Sequence, residues 1–259
     1  MTYICKIILP LEENPTKTAN INFSNNLKSN TMKKVLQYMS VFAILLTMAI
    51  PTMAQSSRDH IRSAIKSHGE CRNVAITRTG GDLMLYGRNG YASKGCPSSL
   101  TNKLSELHDD GEYIDDVQLT EEGSWLILYG DNGLYWNGIP KSLERKLREY
   151  NEAGEVINTV TFNDDGDWII ITDTKYSASD SDYLEWLRDG EDDHGELWTA
   201  HMTDDALVAV YENGYKWVGN VPSDLKEEAR TVEFDVYRLK FAGTAWFMAD
   251  KKGHYSYNM

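Results

Sequence analysis

Apolar and polar residues alternate along this chain in short runs, and the runs recur at a spacing of forty-three residues, as Val74, Val117 and Val160 show. Each run pairs with a second, more apolar one: Leu83-Met84-Leu85-Tyr86, then Trp125-Leu126-Ile127-Leu128-Tyr129, then Trp168-Ile169-Ile170-Ile171. Alternation with a period of two predicts half-buried strands, and the glycine-bearing turns Arg78-Thr79-Gly80, Glu121-Glu122-Gly123 and Asp164-Asp165-Gly166 predict tight connections between them. Asn89-Gly90, Asn132-Gly133 and Asn213-Gly214 then introduce a third short strand, since Asn-Gly supplies positive φ at low cost. A proline follows (Pro97, Pro140, Pro222), and after it comes a helical stripe such as Leu100, Leu104 and Leu107 or Leu143 and Leu147. Self-similarity at such a period is the signature of an array or propeller.

Taken in order, the pattern predicts a helix over 56–68, then strands near 72–76, 83–86 and 91–94 and a helix over 98–108. The second unit repeats this cleanly. The third loses its Asn-Gly turn and shortens its helix to 182–188, leaving an acidic loop over 189–193. The fourth unit is complete, and the fifth has strands near 236–241, 245–249 and 254–257 with no helix after them. One helix without strands at the start and one strand set without a helix at the end complement each other. The expected fold is therefore mainly β with helices (α+β): a closed five-unit toroid, five-bladed and β-propeller-like, each unit holding three short antiparallel strands and one helix. Helix 56–68 would complete the last unit. Closure would also hide sheet edges that otherwise invite aggregation.

Composition adds a leader. Met32-Lys33-Lys34, the apolar run 41–50, and Pro51 before Thr52-Met53-Ala54 read as a secretory signal peptide over 32–54, cleaved after Ala54. Residues 1–31 lack periodicity and read as an upstream extension preceding the true initiator, Met32. The folded domain would be 55–259, exported to the periplasm or secreted, monomeric, and without a membrane span. The whole chain carries a net charge of −13. Residues 1–54 hold five Lys and only two Glu, so the remainder is more acidic still. That excludes nucleic acid as an expected partner, because phosphate backbones are bound through clustered Lys and Arg.

The segment from Trp125 to Pro140, with its Trp-led strand, Asn-Gly turn, Gly-Ile-Pro and Leu-rich helix, resembles a tandem repeat of bacterial exported proteins of unassigned function. The resemblance implies a propeller-like ring and brings no catalytic residues. Five strand–helix units also look like the penteins, a pentein-like α/β propeller being the alternative architecture. Those enzymes use a late nucleophilic Cys, and residues 196–259 contain none.

Candidate chemistry is sparse. Cys71 and Cys96, both in the expected exported domain, invite a disulfide, unless Cys96 simply fills the slot of Ile139 as a small hydrophobe. The His residues form no metal-binding spacing, and no cofactor is expected. The acidic turns read as solvated loops, with 189–193 the best weak calcium candidate. Trp125 and Trp168 share a column with Asp82, Ala206 and Ala245, read as packing between units or as an aromatic platform. Trp136 and Trp217 share another column that could be exposed to a ligand. In the first strand of each unit, polar residues flank the apolar Val74, Val117, Val160, Ala200 and Leu239. They are Asn73, Asp116, Thr159, Thr199 and Arg238 before, and Gln118, Thr161, His201 and Lys240 after. Were this strand innermost, Asn73, Asp116, Thr159, His201, Arg238 and Lys240 would converge on the ring axis as a ligand site or as a self-satisfied polar lining. The function this implies is a non-catalytic binding or interaction module for a glycan, a peptide or a protein partner. The alternative is a small carboxylate-dependent hydrolase with Asp116 near the axis.

Overall fold

The computed structural model describes residues 57–259, so the upstream extension and signal peptide expected over 1–54 lie outside the described residues. A helix, α1, occupies 57–68. The first unit follows as β1 (Asn73–Ile76), β2 (Asp82–Tyr86), β3 (Gly90–Lys94) and α2 (Ser98–Asp109). The second comprises β4 (Ile114–Leu119), β5 (Trp125–Tyr129), β6 (Gly133–Asn137) and α3 (Lys141–Glu152). The third comprises β7 (Ile157–Phe162), β8 (Trp168–Thr172), β9 (Tyr176–Ala178) and α4 (Ser181–His194). The fourth comprises β10 (Leu197–Met202), β11 (Ala206–Tyr211), β12 (Gly214–Gly219) and α5 (Ser223–Thr231), and the fifth β13 (Arg238–Ala242), β14 (Ala245–Ala249) and β15 (Tyr255–Asn258). The fold is thus α+β, with five separate three-stranded antiparallel sheets in meander order.

Each helix fills the gap between two sheets. Leu100, Leu104 and Leu107 of α2 pack with Leu83 and Leu85 of the first sheet and with Val117, Trp125 and Ile127 of the second. Equivalent cores surround α3, α4 and α5. Because side chains alternate across a strand, each sheet sends one set of apolar residues to the helix before it and the other to the helix after it. Burying one such Leu contributes about 1.5–3 kcal/mol. A further core joins Ile61 and Ile65 of α1 to Val74 and Met84 of the first sheet and to Ala245, Phe247 and Ala249 of the fifth. Arg58 of α1 donates to the carbonyls of Thr77, at 3.1 Å, and Ala242, at 3.3 Å. The first strands lie side by side, β1 against both β4 and β13, and β10 against both β7 and β13.

Pro97, Pro140 and Pro222 stand immediately before α2, α3 and α5, pre-setting the first turn without a side-chain cap. The third helix departs from expectation: α4 runs through 189–193, which is helix rather than an acidic loop. Asp180 caps it by accepting from the Asp182 amide at 2.8 Å. Within the helix Gly190 lies against Tyr211, where an added Cβ would fall 2.1 Å from the phenol oxygen. Glycine here is a packing requirement, not a stop. Among the described residues, no helix is long and apolar enough to cross a membrane.

The register also corrects one column. Leu119 pairs with Trp125 and Phe162 with Trp168, but the corresponding partners in the fourth and fifth units are Leu207 and Trp246, not Ala206 and Ala245. The turns there are shorter: the Thr203 amide bonds the Ala206 carbonyl, whereas the Thr120 amide reaches Ser124. Trp125, Trp168 and Trp246 are all buried, and their indole N–H groups donate to Ser99, Ser142 and Asp224 at the start of the preceding helix. These indoles tie helix to sheet and offer no platform.

Candidate functional site

The polar residues of the first strands do come together. Asn73, Asp116, Thr159, His201, Arg238 and Lys240 are all buried. Asp116 accepts from Asn73 Nδ2 at 2.8 Å and Gln118 Nε2 at 2.9 Å, and its carboxylate lies 3.1 Å from Lys240 Nζ. Arg238 donates to Asp115 at 2.8 Å and to the Asn158 carbonyl at 3.4 Å. Thr159 and Thr199 share a hydrogen bond of 3.1 Å. His201 donates from Nε2 to the Phe241 carbonyl at 3.0 Å and meets the Phe241 ring edge-on. Burial, with the nearby Lys240 ammonium, pushes the His201 pKa down to about 3, so the ring is neutral. Burial likewise lowers the Lys240 pKa, with Arg238 adding to it and Asp116 opposing it. A buried ion pair whose carboxylate also accepts from two amides holds strands together and leaves little of that carboxylate for a ligand to bind. Asp116 in particular is saturated by donors from β1, β4 and β13.

Trp136 and Trp217 lie outside this cluster. Each is partly buried at the edge of a different core, Trp136 beneath the Arg148 guanidinium and Trp217 stacked on Tyr215. Cys71 and Cys96 are free thiols in different cores, so the possible disulfide does not form. Their sulfurs turn to separate carbonyls, those of Asn73 and Asp82, and burial pushes both pKa values up to about 12.

The acidic turns are not merely solvated. Glu121 accepts from the Arg78 and Thr79 amides of the preceding unit, at 2.7 and 3.1 Å. Asp164 accepts from the Glu122 amide, and Asp204 from the Asp164 amide, each at 3.0 Å. The second, third and fourth turns therefore each hand a carboxylate to the turn before them. Arg78 completes the series with ion pairs to Glu121, Asp204 and Asp205.

What the sequence reading missed lies at the opposite end of the first strands. The registers of β4, β7 and β10 each slip by one residue, between Ile114 and Asp116, Ile157 and Thr159, and Leu197 and Thr199. The bulged residues are Asp115, Asn158 and Trp198. A bulge leaves its residue out of the ladder and re-aims its side chain, a device common beside binding sites. Asn158 and Trp198, with Tyr237 just before β13, line an open cleft of about 460 Å³. Asp115 and Asn158 line a neighbouring one of about 180 Å³. The cleft is rimmed by Asp173, Glu196 and Asp235. Asp173 accepts from Asn158 Nδ2 at 2.7 Å, fixing that amide. Its volume suits a small ligand or a side chain. One signal was readable: this column holds unlike residues in every unit, while the apolar positions around it repeat.

Comparison with protein-family models, curated proteins and solved structures finds no match for this chain.

Proposed function

We propose that this is an exported, non-catalytic binding module, built as a closed ring of five units, whose glycan or peptide ligand seats in the cleft lined by Asn158, Trp198 and Tyr237. Ring closure is supported by the shared core of α1, the first sheet and the fifth, and by β1 lying against both β4 and β13. Export rests on the signal-peptide pattern over 32–54. The observation that carries the binding reading is a contrast between two sets of side chains on the same strands. The in-register polar residues are bonded mainly to one another, with only His201 Nδ1 lacking a partner among them, whereas the bulged Asn158 and Trp198 line open space. The hydrolase alternative needs a carboxylate free to move a proton beside a substrate, and Asp116 and Asp115 are instead locked to Lys240 and Arg238.

The experiment is a screen of glycans and peptides against the protein purified from the exported fraction, repeated with Trp198→Ala. Binding that falls at least about tenfold in the variant, with an unchanged melting temperature, supports the reading. A ligand that is turned over by the intact protein overturns it.

A further inference from the structure

We infer that the cleft selects an organic cation, an ammonium or guanidinium carried on a flexible chain, and that Lys251 fills its place when no ligand is bound; this rests on the binding-module reading above. The first observation is Lys251 itself. It is exposed and lines the cleft, yet its ammonium lies 3.8 Å from the centre of the Tyr237 ring. Tyr237 also lies 4.7 Å from the Arg238 guanidinium, so its ring already meets cations of both kinds. An aromatic face attracts a cation through its quadrupole, and a second ring, Trp198, lines the same space.

The second observation is charge left unanswered. Glu196 and Asp235 are exposed on the cleft rim, and among the described residues neither carboxylate has a hydrogen-bond or ion-pair partner. The other acidic side chains near these strand ends are used: Asp115 by Arg238 and, in the cleft itself, Asp173 by Asn158 and Asp250 by His254 at 2.7 Å. Two lysines, Lys251 and Lys252, line the same cleft, and neither forms an ion pair with these carboxylates among the described residues. Carboxylates facing a shared concavity focus a negative potential into it, and the −13 charge of the chain deepens that field. An anionic ligand is thereby repelled, and a neutral sugar leaves both carboxylates uncompensated. A cation answers them. A metal ion is a poorer fit, since no group of three or more His, Cys, Asp or Glu is placed to hold one among the described residues.

A tethered lysine over the ring acts as a competitor. Its ammonium must leave before another can stack there, which lowers apparent affinity without destroying the site. The cation could arrive free, as a polyamine, or as the side chain of a basic peptide; the chemistry recognised is the same.

The test titrates the protein with spermidine, with a blocked Lys/Arg peptide, with a blocked Glu peptide and with a neutral chito-oligosaccharide, following binding by calorimetry. We expect at least one cationic probe to bind, the tighter of the two naming the source, and the Glu peptide not to bind. Affinity should fall about tenfold or more in Glu196→Gln/Asp235→Asn, rise several-fold in Lys251→Gln, and weaken with added salt. These positions are exposed, so melting temperatures should be unchanged, which separates lost binding from lost fold. Failure of both cations to bind overturns the inference, as does binding indifferent to these substitutions. If the neutral saccharide binds instead, and Trp198→Ala abolishes it, the cation inference falls while the binding module stands.

Discussion

Lys240 and Asp116 are 124 residues apart in sequence and 3.1 Å apart in space. The pair joins β13 to β4, which are neighbours of β1 on opposite sides, and Asn73 of β1 donates to the same Asp116, so the two contacts together fasten three units. The lysine side chain is 4% exposed and the aspartate 1%, so neither charge has recourse to water. Removing one partner leaves the other charge buried, which typically costs about 3–5 kcal/mol. Lys240→Met should therefore lower the unfolding free energy by about that much in urea titration. Adding Asp116→Asn should recover most of the loss. If Lys240→Met alone costs under ~1 kcal/mol, the pair is not what holds these strands.

Ile61 and Ile65 are buried between the first and fifth sheets. Truncating a buried aliphatic side chain costs about 2–5 kcal/mol, against roughly 5–15 kcal/mol for a whole domain. The double change to alanine should lower the thermal midpoint sharply, while Lys66→Ala, on the exposed side of the same helix, should leave it unchanged. Equal midpoints for both variants would mean that the ends of the described chain do not depend on one another.

Glu121 and its neighbour Glu122 look equivalent in sequence and are not equivalent in space. Glu121 accepts from two amides of the preceding turn and pairs with Arg78. Hydrogen bonds to a charged group contribute about 1.5–3 kcal/mol. Glu121→Ala should destabilise by about 2 kcal/mol and Glu122→Ala by under ~0.5 kcal/mol, measured by denaturant unfolding at low salt. A reversed order would restore the reading of both as solvated turn residues.

That contrast shows where sequence pattern stops being informative. Strands, helix starts and the role of Ile61 were legible because alternation, proline position and the period of the Leu stripes are local signals. The carboxylate hand-over between turns was not, because it depends on two turns lying side by side. The α4 boundary failed for a related reason. The sequence pattern ends the helix at 188 and makes 189–193 a loop; only Tyr211, brought in by another strand, shows Gly190 inside the helix, where the absence of a side chain is a fitting requirement. The cleft was missed because alternation assumes an unbroken register. Each bulge shifts that register by one, and only the pairing in space reveals that Asn158 and Trp198 are the residues displaced.

Asp82 and His201 make opposite contributions to stability against pH. Asp82 stands where three later units carry Trp and the fourth carries Leu207, fully buried, and both its oxygens lack a hydrogen-bond partner among the described residues. Burial, only partly countered by Arg58, pushes its pKa up to about 6. Between roughly pH 4 and 6 the folded state therefore holds a proton that the unfolded state has released, and stability falls as pH rises through that window. A shift of about two units corresponds to about 3 kcal/mol lost by pH 7. His201 runs the other way. With its pKa lowered to about 3, the unfolded chain binds a proton below about 6.5 that the folded state refuses, so stability falls as pH drops. Asp82→Asn removes the first effect alone. The variant should be about 1–3 kcal/mol more stable than the native chain at pH 7 and nearly equal to it at pH 4. It should also show a steeper loss on acidification, because the His201 contribution is then unopposed. Urea titrations at both pH values decide the matter: the same gain at each would mean that Asp82 gains its stability from packing and not from its charge.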